Sequence, residues 1–181
     1  MTRRVFLLAP LLVGCWRLPP ERVPSLATAR LLDLMNRRLG FMHDVARAKW
    51  NTKSAAEDPA REAALLKAVA DAGKAHDLAP ADATAFFAAQ IEAAKILQRA
   101  CFREWEAERR GPFADAPDLV RDLRPQIDAV GRELLPALAA FRCVAPLPDP
   151  ELLRLSREHL TGPGISEEVR RVATEPLRSS R

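Results

Sequence analysis

The sequence predicts an all-α chain, a bundle of long helices with extra short helices at the C-terminal end. Three observations carry this. Apolar residues recur at three-to-four spacing over most of the chain. Fifteen prolines and only seven glycines punctuate an alanine-rich background of 181 residues, so helices are separated by Pro-marked breaks. Tyrosine is absent and β-branched runs are few, which excludes an all-β fold. The length and the 48% apolar fraction fit one compact domain.

The chain opens on Arg3 and Arg4, then an apolar run from Val5 to Gly14 that stops at Cys15. A basic start and a short apolar stretch, too brief to span a bilayer, read as an export signal. Leu12-Val13-Gly14-Cys15 resembles a bacterial lipobox, which makes Cys15 a possible lipid-anchor site. The other reading is a buried helical turn, which Pro10 and the arginines suit poorly. Residues 1–15 are therefore assigned to export, 16–24, with Pro19, Pro20 and Pro24, to a tether, 25–176 to the helical domain and 177–181 to a loose tail.

Ser25 caps the first helix, whose apolar stripe Leu26, Ala29, Leu32, Met35 and Leu39 continues past Gly40 through Phe41, Val45, Ala48 and Trp50 to about Lys53. Asp58-Pro59 starts the second, with Asp as cap and Pro at the first helical position, running to about His76. Pro80 opens the third, which Gly111-Pro112 ends. Asp118 begins the fourth, interrupted or bent at Pro125 and continuing to about Phe141. Asp149-Pro150 and Ser166 start two shorter helices. The layout is that of a helix bundle with short connections.

A net charge of +4, with arginines interspersed among acids, provides no basic run for nucleic acid and favours a small anionic ligand. His43, His76 and His159 have no metal-ligand spacing, so no metal is expected. Cys101 and Cys143 could pair in an oxidising compartment or remain free thiols. Trp50 and Trp105 fall at helical spacing and read as packing anchors.

Some polar residues recur on helix faces that otherwise look like core. Arg38 and Lys49 are eleven residues apart, three turns plus roughly 20°, and so share one stripe. Asp58, Arg61 and Glu62 cluster at a helix start, and Gln90, Ala94 and Gln98 share a face of the third helix. Taken singly, each has a structural explanation: snorkelling cations, a cap, a solvated helix start.

Taken in order, Arg38, then Lys49-Trp50, then Asp58 with Arg61-Glu62, then Gln90-Ile91-Glu92-Ala93-Ala94-Lys95 and Gln98, the set resembles the AroQ-type, all-helical chorismate mutases. The likeness spans about Leu31 to Arg124, and the export signal with the extra C-terminal helices is similar to the secreted, gamma subclass. The resemblance implies conversion of chorismate to prephenate without metal, cofactor or covalent intermediate. It implies that Arg38 pairs with a substrate carboxylate and that Lys49 and Gln98 donate to the ether oxygen. Glu62 and Asp58 would hold the substrate hydroxyl, with Arg61 close by. Arg124, with Arg121 as runner-up, would take the second carboxylate from within the same chain. Ala94 and Leu65 stand where other members carry polar side chains, so a hydrogen bond to substrate is missing. Family members are usually homodimers. Two alternatives stay open: an isochorismate pyruvate lyase of the same fold, and a non-catalytic helical envelope lipoprotein.

Overall fold

The computed structural model describes residues 22–144 and 147–178, with side chains from residue 26 onward. The export signal, the start of the tether, the side chain expected to cap at Ser25 and residues 179–181 lie outside these. Among the described residues there are seven α-helices and no strand. They are α1 (Arg22–Gly40), α2 (Met42–Asn51), α3 (Pro59–Gly73), α4 (Pro80–Ala107), α5 (Arg124–Arg142), α6 (Asp149–His159) and α7 (Glu167–Thr174). Helix α4 packs against α2, α3 and α7, while α1 lies along α5 and α6. The core between them holds Leu31, Leu32, Met35 and Leu39 of α1, Phe86, Phe87 and Leu97 of α4, and Leu134 and Leu138 of α5. Leu152 and Leu160 close it from the C-terminal side.

Four expectations change. Helix α1 begins at Arg22, so residues 22–24 of the expected tether are helical and Ser25 lies within the first turns rather than at the helix cap. Pro24 falls in the first turn, where its missing N–H has no intrahelical partner to lose. The first long element is two helices: Phe41 N donates to Arg38 O at 3.4 Å, a three-residue tightening at Gly40-Phe41. Phe41 stays in the right-handed region, so the chain runs on without reversing. The tail is anchored through Leu177, which is buried in a 3₁₀ turn, Glu175–Leu177.

The fourth change lies upstream of Pro125. Leu119–Leu123 is a π turn capped by Asp118, whose side chain accepts from the backbone N–H groups of Val120 and Arg121. Pro125 offers no N–H to the Arg121 carbonyl and its ring crowds that oxygen, so the preceding turn widens. Asp118 O accepts from both Asp122 N and Leu123 N, and Arg124 N donates to Leu119 O, five residues back. Cys101 is buried in α4, Cys143 is exposed just past α5, and both are free thiols.

Candidate active site

A cavity of about 120 Å³ opens between α2, the start of α3, the middle of α4 and residues 119–128. The nine residues to which the resemblance gives a place at the site all line it: Arg38, Lys49, Asp58, Arg61, Glu62, Leu65, Ala94, Gln98 and Arg124; Gln90, on the same helix as Ala94 and Gln98, does not. Arg121 does not; it faces solvent and pairs with Asp122. The π turn brings both Leu119 and Arg124 to the cavity wall. Five residues span 500° in an α-helix, which would point those two side chains apart.

Two of the cations are buried. Arg38, 5% exposed, donates through Nη1 to the Gln90 carbonyl at 3.0 Å. Loss of solvent lowers its pKa to about 10, and Asp128 partly offsets that shift. Lys49, 8% exposed, donates to Ala56 O at 2.6 Å. Burial likewise pushes its ammonium below the ordinary lysine value, against the pull of Asp58, Glu57 and Glu62. A buried charge without a matching carboxylate costs stability.

Asp58 has two roles. Its Oδ1 accepts from Arg61 N, and Glu62 Oε1 accepts from Asp58 N, a reciprocal arrangement of the capping-box kind. Its Oδ2 accepts from Arg124 Nη2 at 3.2 Å. Asp58 therefore caps α3 and lines the cavity at once. Arg61 Nη2 contacts both carboxylate oxygens of Asp128, at 2.7 and 2.8 Å. Lys95 joins Glu62 at 3.2 Å and Glu92 at 2.9 Å, and those carboxylates hold its ammonium above the ordinary value.

The cavity lining carries five basic and three acidic side chains, a surplus of two positive charges. Such a surplus suits a dianion. Gln98 is buried, its Nε2 only 3.6 Å from the soft acceptor Met42 Sδ and its Oε1 without a partner. A half-turn of the amide exchanges oxygen and nitrogen, so this side chain can offer a donor or an acceptor to a ligand. Met42, Val45, Ile91, Leu119 and Ile127 supply the apolar remainder.

Sequence reasoning quoted Lys95 without giving it a role and missed Asp128. Asp128 is four residues after Arg124, one face of α5, so that spacing could have found it. Nothing in the residue pattern marks Ala56, which contributes a backbone carbonyl. The histidines stand apart from the cavity: His43 packs edge-on against Trp105, and His159 bonds Asp33. Trp105 is buried and Trp50 packs beside it, as packing anchors should.

The family model described as chorismate mutase type II matches residues 28–99. A secreted chorismate mutase from Mycolicibacterium smegmatis is 28% identical over 109 residues, a match that spans 60% of this chain and 60% of that protein's length. The crystal structure of a chorismate mutase from Burkholderia thailandensis superposes with a TM-score of 0.74 at 34% identity, covering 83% of this chain and 98% of that one. A secreted chorismate mutase from Yersinia pestis shares the fold, with a TM-score of 0.71 at 20% identity, covering 82% of this chain and 94% of that one. With the same helical fold and that level of identity along nearly the whole Burkholderia chain, this protein belongs to the chorismate mutase type II family.

Proposed function

We propose that this chain is an exported chorismate mutase that rearranges chorismate to prephenate within one polypeptide's cavity. The reaction is intramolecular: a C–O bond breaks, a C–C bond forms, and negative charge develops on the ether oxygen. The protein therefore has to hold a dicarboxylate in a compact conformation and place donors where that charge appears. Arg38 and Arg124 take the two carboxylates, Lys49 and Gln98 donate to the ether oxygen, and Glu62 and Asp58 receive the substrate hydroxyl with Arg61 beside them. Leu65 and Ala94 offer only apolar contact, one hydrogen bond fewer, which raises KM modestly.

The observation that carries this reading is the convergence of buried Arg38, buried Lys49 and the buried Gln98 carboxamide on a single cavity. Donors held ready in a water-poor site are what an intramolecular rearrangement without covalent chemistry needs. In this assignment the Gln98 amide turns so that Nε2 faces the ether oxygen, and the ammonium of Lys49, with three N–H donors, keeps Ala56 O while reaching the substrate. An absorbance assay of chorismate loss, with the product identified, tests the reading. Prephenate is expected; release of pyruvate from isochorismate would replace the mutase reading with the lyase one, and inertness toward both would remove catalysis altogether.

Export and a lipid at Cys15 belong to the same proposal, and the mass of the mature N-terminus tests them. A homodimer is the assembly proposed, to be read by sedimentation.

A further inference from the structure

Glu92, Lys95 and Arg99 form one stripe along α4. Lys95 bridges Glu62 and Glu92. Arg99 donates to Glu92 Oε1 at 3.1 Å, and its Nε and Nη2 both reach Glu57 Oε1, at 2.8 and 2.7 Å. The stripe thus grips Glu57 at one end and Glu62 at the other, and Asp58 lies between. Ala56 sits beside the first grip. It is buried in a loop whose residues from Thr52 to Ala55, and Glu57 after it, are all exposed, and its carbonyl receives the Lys49 ammonium. Two cations of the cavity, Lys49 from α2 and Arg124 from α5, therefore take their acceptors from this one short segment, at Ala56 O and Asp58 Oδ2.

We propose that Arg99, which does not line the cavity, is a positioning residue: through Glu57 it pins the Ala56–Asp58 segment and so sets the direction of the Lys49 ammonium and the Asp58 carboxylate. An ammonium turns freely about its last bond, and a fixed carbonyl on one N–H decides where the other two point. Loosening that carbonyl scatters the donor that matters when charge develops, so the loss falls chiefly on kcat. The kinetic part rests on the chorismate mutase reading; the anchoring of the segment does not.

The test compares Arg99→Ala, Glu57→Ala, their double variant and Arg99→Lys. Backbone hydrogen exchange over residues 53–62 is read beside chorismate kinetics and Tm. An exposed, networked ion pair predicts about fivefold faster exchange in either single variant, a similar fall in kcat and an unchanged Tm. The double variant should be no worse than either single one, and Arg99→Lys should recover most of the loss. Wild-type exchange and kcat in Arg99→Ala, or single effects that multiply in the double variant, would overturn the proposal. If Arg99→Ala alone unfolds, Glu57→Ala still decides. If the wild type leaves chorismate untouched while both single variants speed exchange, the anchoring stands and the functional reading falls.

Discussion

Gln90 and Gln98 stand about two turns apart on the same face of α4, both buried and both with an unpartnered side-chain oxygen, and they differ in what their Nε2 meets. Gln90 Nε2 donates to Ala173 O of α7 at 2.9 Å, and the Gln90 backbone carbonyl receives Arg38. Gln98 Nε2 has only the Met42 sulfur at 3.6 Å and opens on the cavity. Burying an amide costs free energy at either place. Around Gln90 the α7 carbonyl answers the donor half of that cost within the chain, while Oε1 has no partner, so the residue ties α7 to the backbone carbonyl that receives Arg38. Around Gln98 the hydrogen-bonding capacity remains open to a ligand. The same residue type, equally hidden, serves cohesion at one end of the stripe and is available for recognition at the other.

The largest test of this contrast removes the donors on the cavity side. Lys49→Ala or Gln98→Ala should lower turnover by roughly 10² or more, the scale of deleting one preorganised donor to a developing oxyanion. Thermal stability should be retained, because neither side chain has a strong protein partner except Lys49 through one carbonyl. Steady-state kinetics on both variants within a few-fold of wild type would refute the assignment.

Next in size is the pH profile. Gln98 donates at any ordinary pH, so wild-type activity should be broad near neutrality, whereas Gln98→Glu must be protonated to donate and should move the optimum to acid. A sharp acid optimum in the wild type would count against Gln98. On the alkaline side, activity should fall before the ordinary lysine value of 10.5 is reached, since burial lowers the Lys49 pKa. The stability consequence has the opposite sign. Between the folded Arg38 value of about 10 and its higher ordinary value, the unfolded chain holds more protons than the folded one. The destabilising contribution of Arg38 is therefore fully present below pH 10 and relaxes as pH rises through that interval.

Gln90→Leu probes the cohesive end. It leaves Ala173 O without its partner in the interior but also removes the unpartnered Oε1, a net loss of about 0.5–1.5 kcal/mol readable as a lower denaturation midpoint, with turnover within a few-fold of wild type. A hundredfold loss of turnover at unchanged stability would erase the distinction between the two glutamines. The smallest effect lies outside both regions. Gly40 closes α1 with open space where a Cβ would go, so Gly40→Ala should stabilise by about 0.5–1 kcal/mol with no kinetic change.

Much of the fold was legible because its signals are local. Asp58-Pro59, Pro80, Asp118 and Ser166 each carry a start signal in their own side chain, and helices begin at or within one residue of them. The break at Phe41 was not legible as a break, since the apolar stripe continues across it and the Phe41 N–H reaches back three residues instead of four. The π turn before Arg124 arises from what Pro125 denies to a carbonyl four residues earlier, and periodicity alone pointed to a bend at the proline itself. The choice between Arg121 and Arg124 then followed from which side of the widened turn each one occupies.

The order and spacing of Arg38, Lys49, Asp58, Arg61, Glu62 and Gln98 fixed which side chains would share a helix face, because a helix repeats every 3.6 residues whatever surrounds it. What those faces meet is a matter of tertiary packing. The Gln90 carbonyl beneath Arg38, the Ala56 carbonyl under Lys49, the Asp128 carboxylate against Arg61 and the Lys95 bridge to Glu62 join residues on separate elements or across a loop. Those partners come together only when the helices dock, since no local rule of chain geometry relates them.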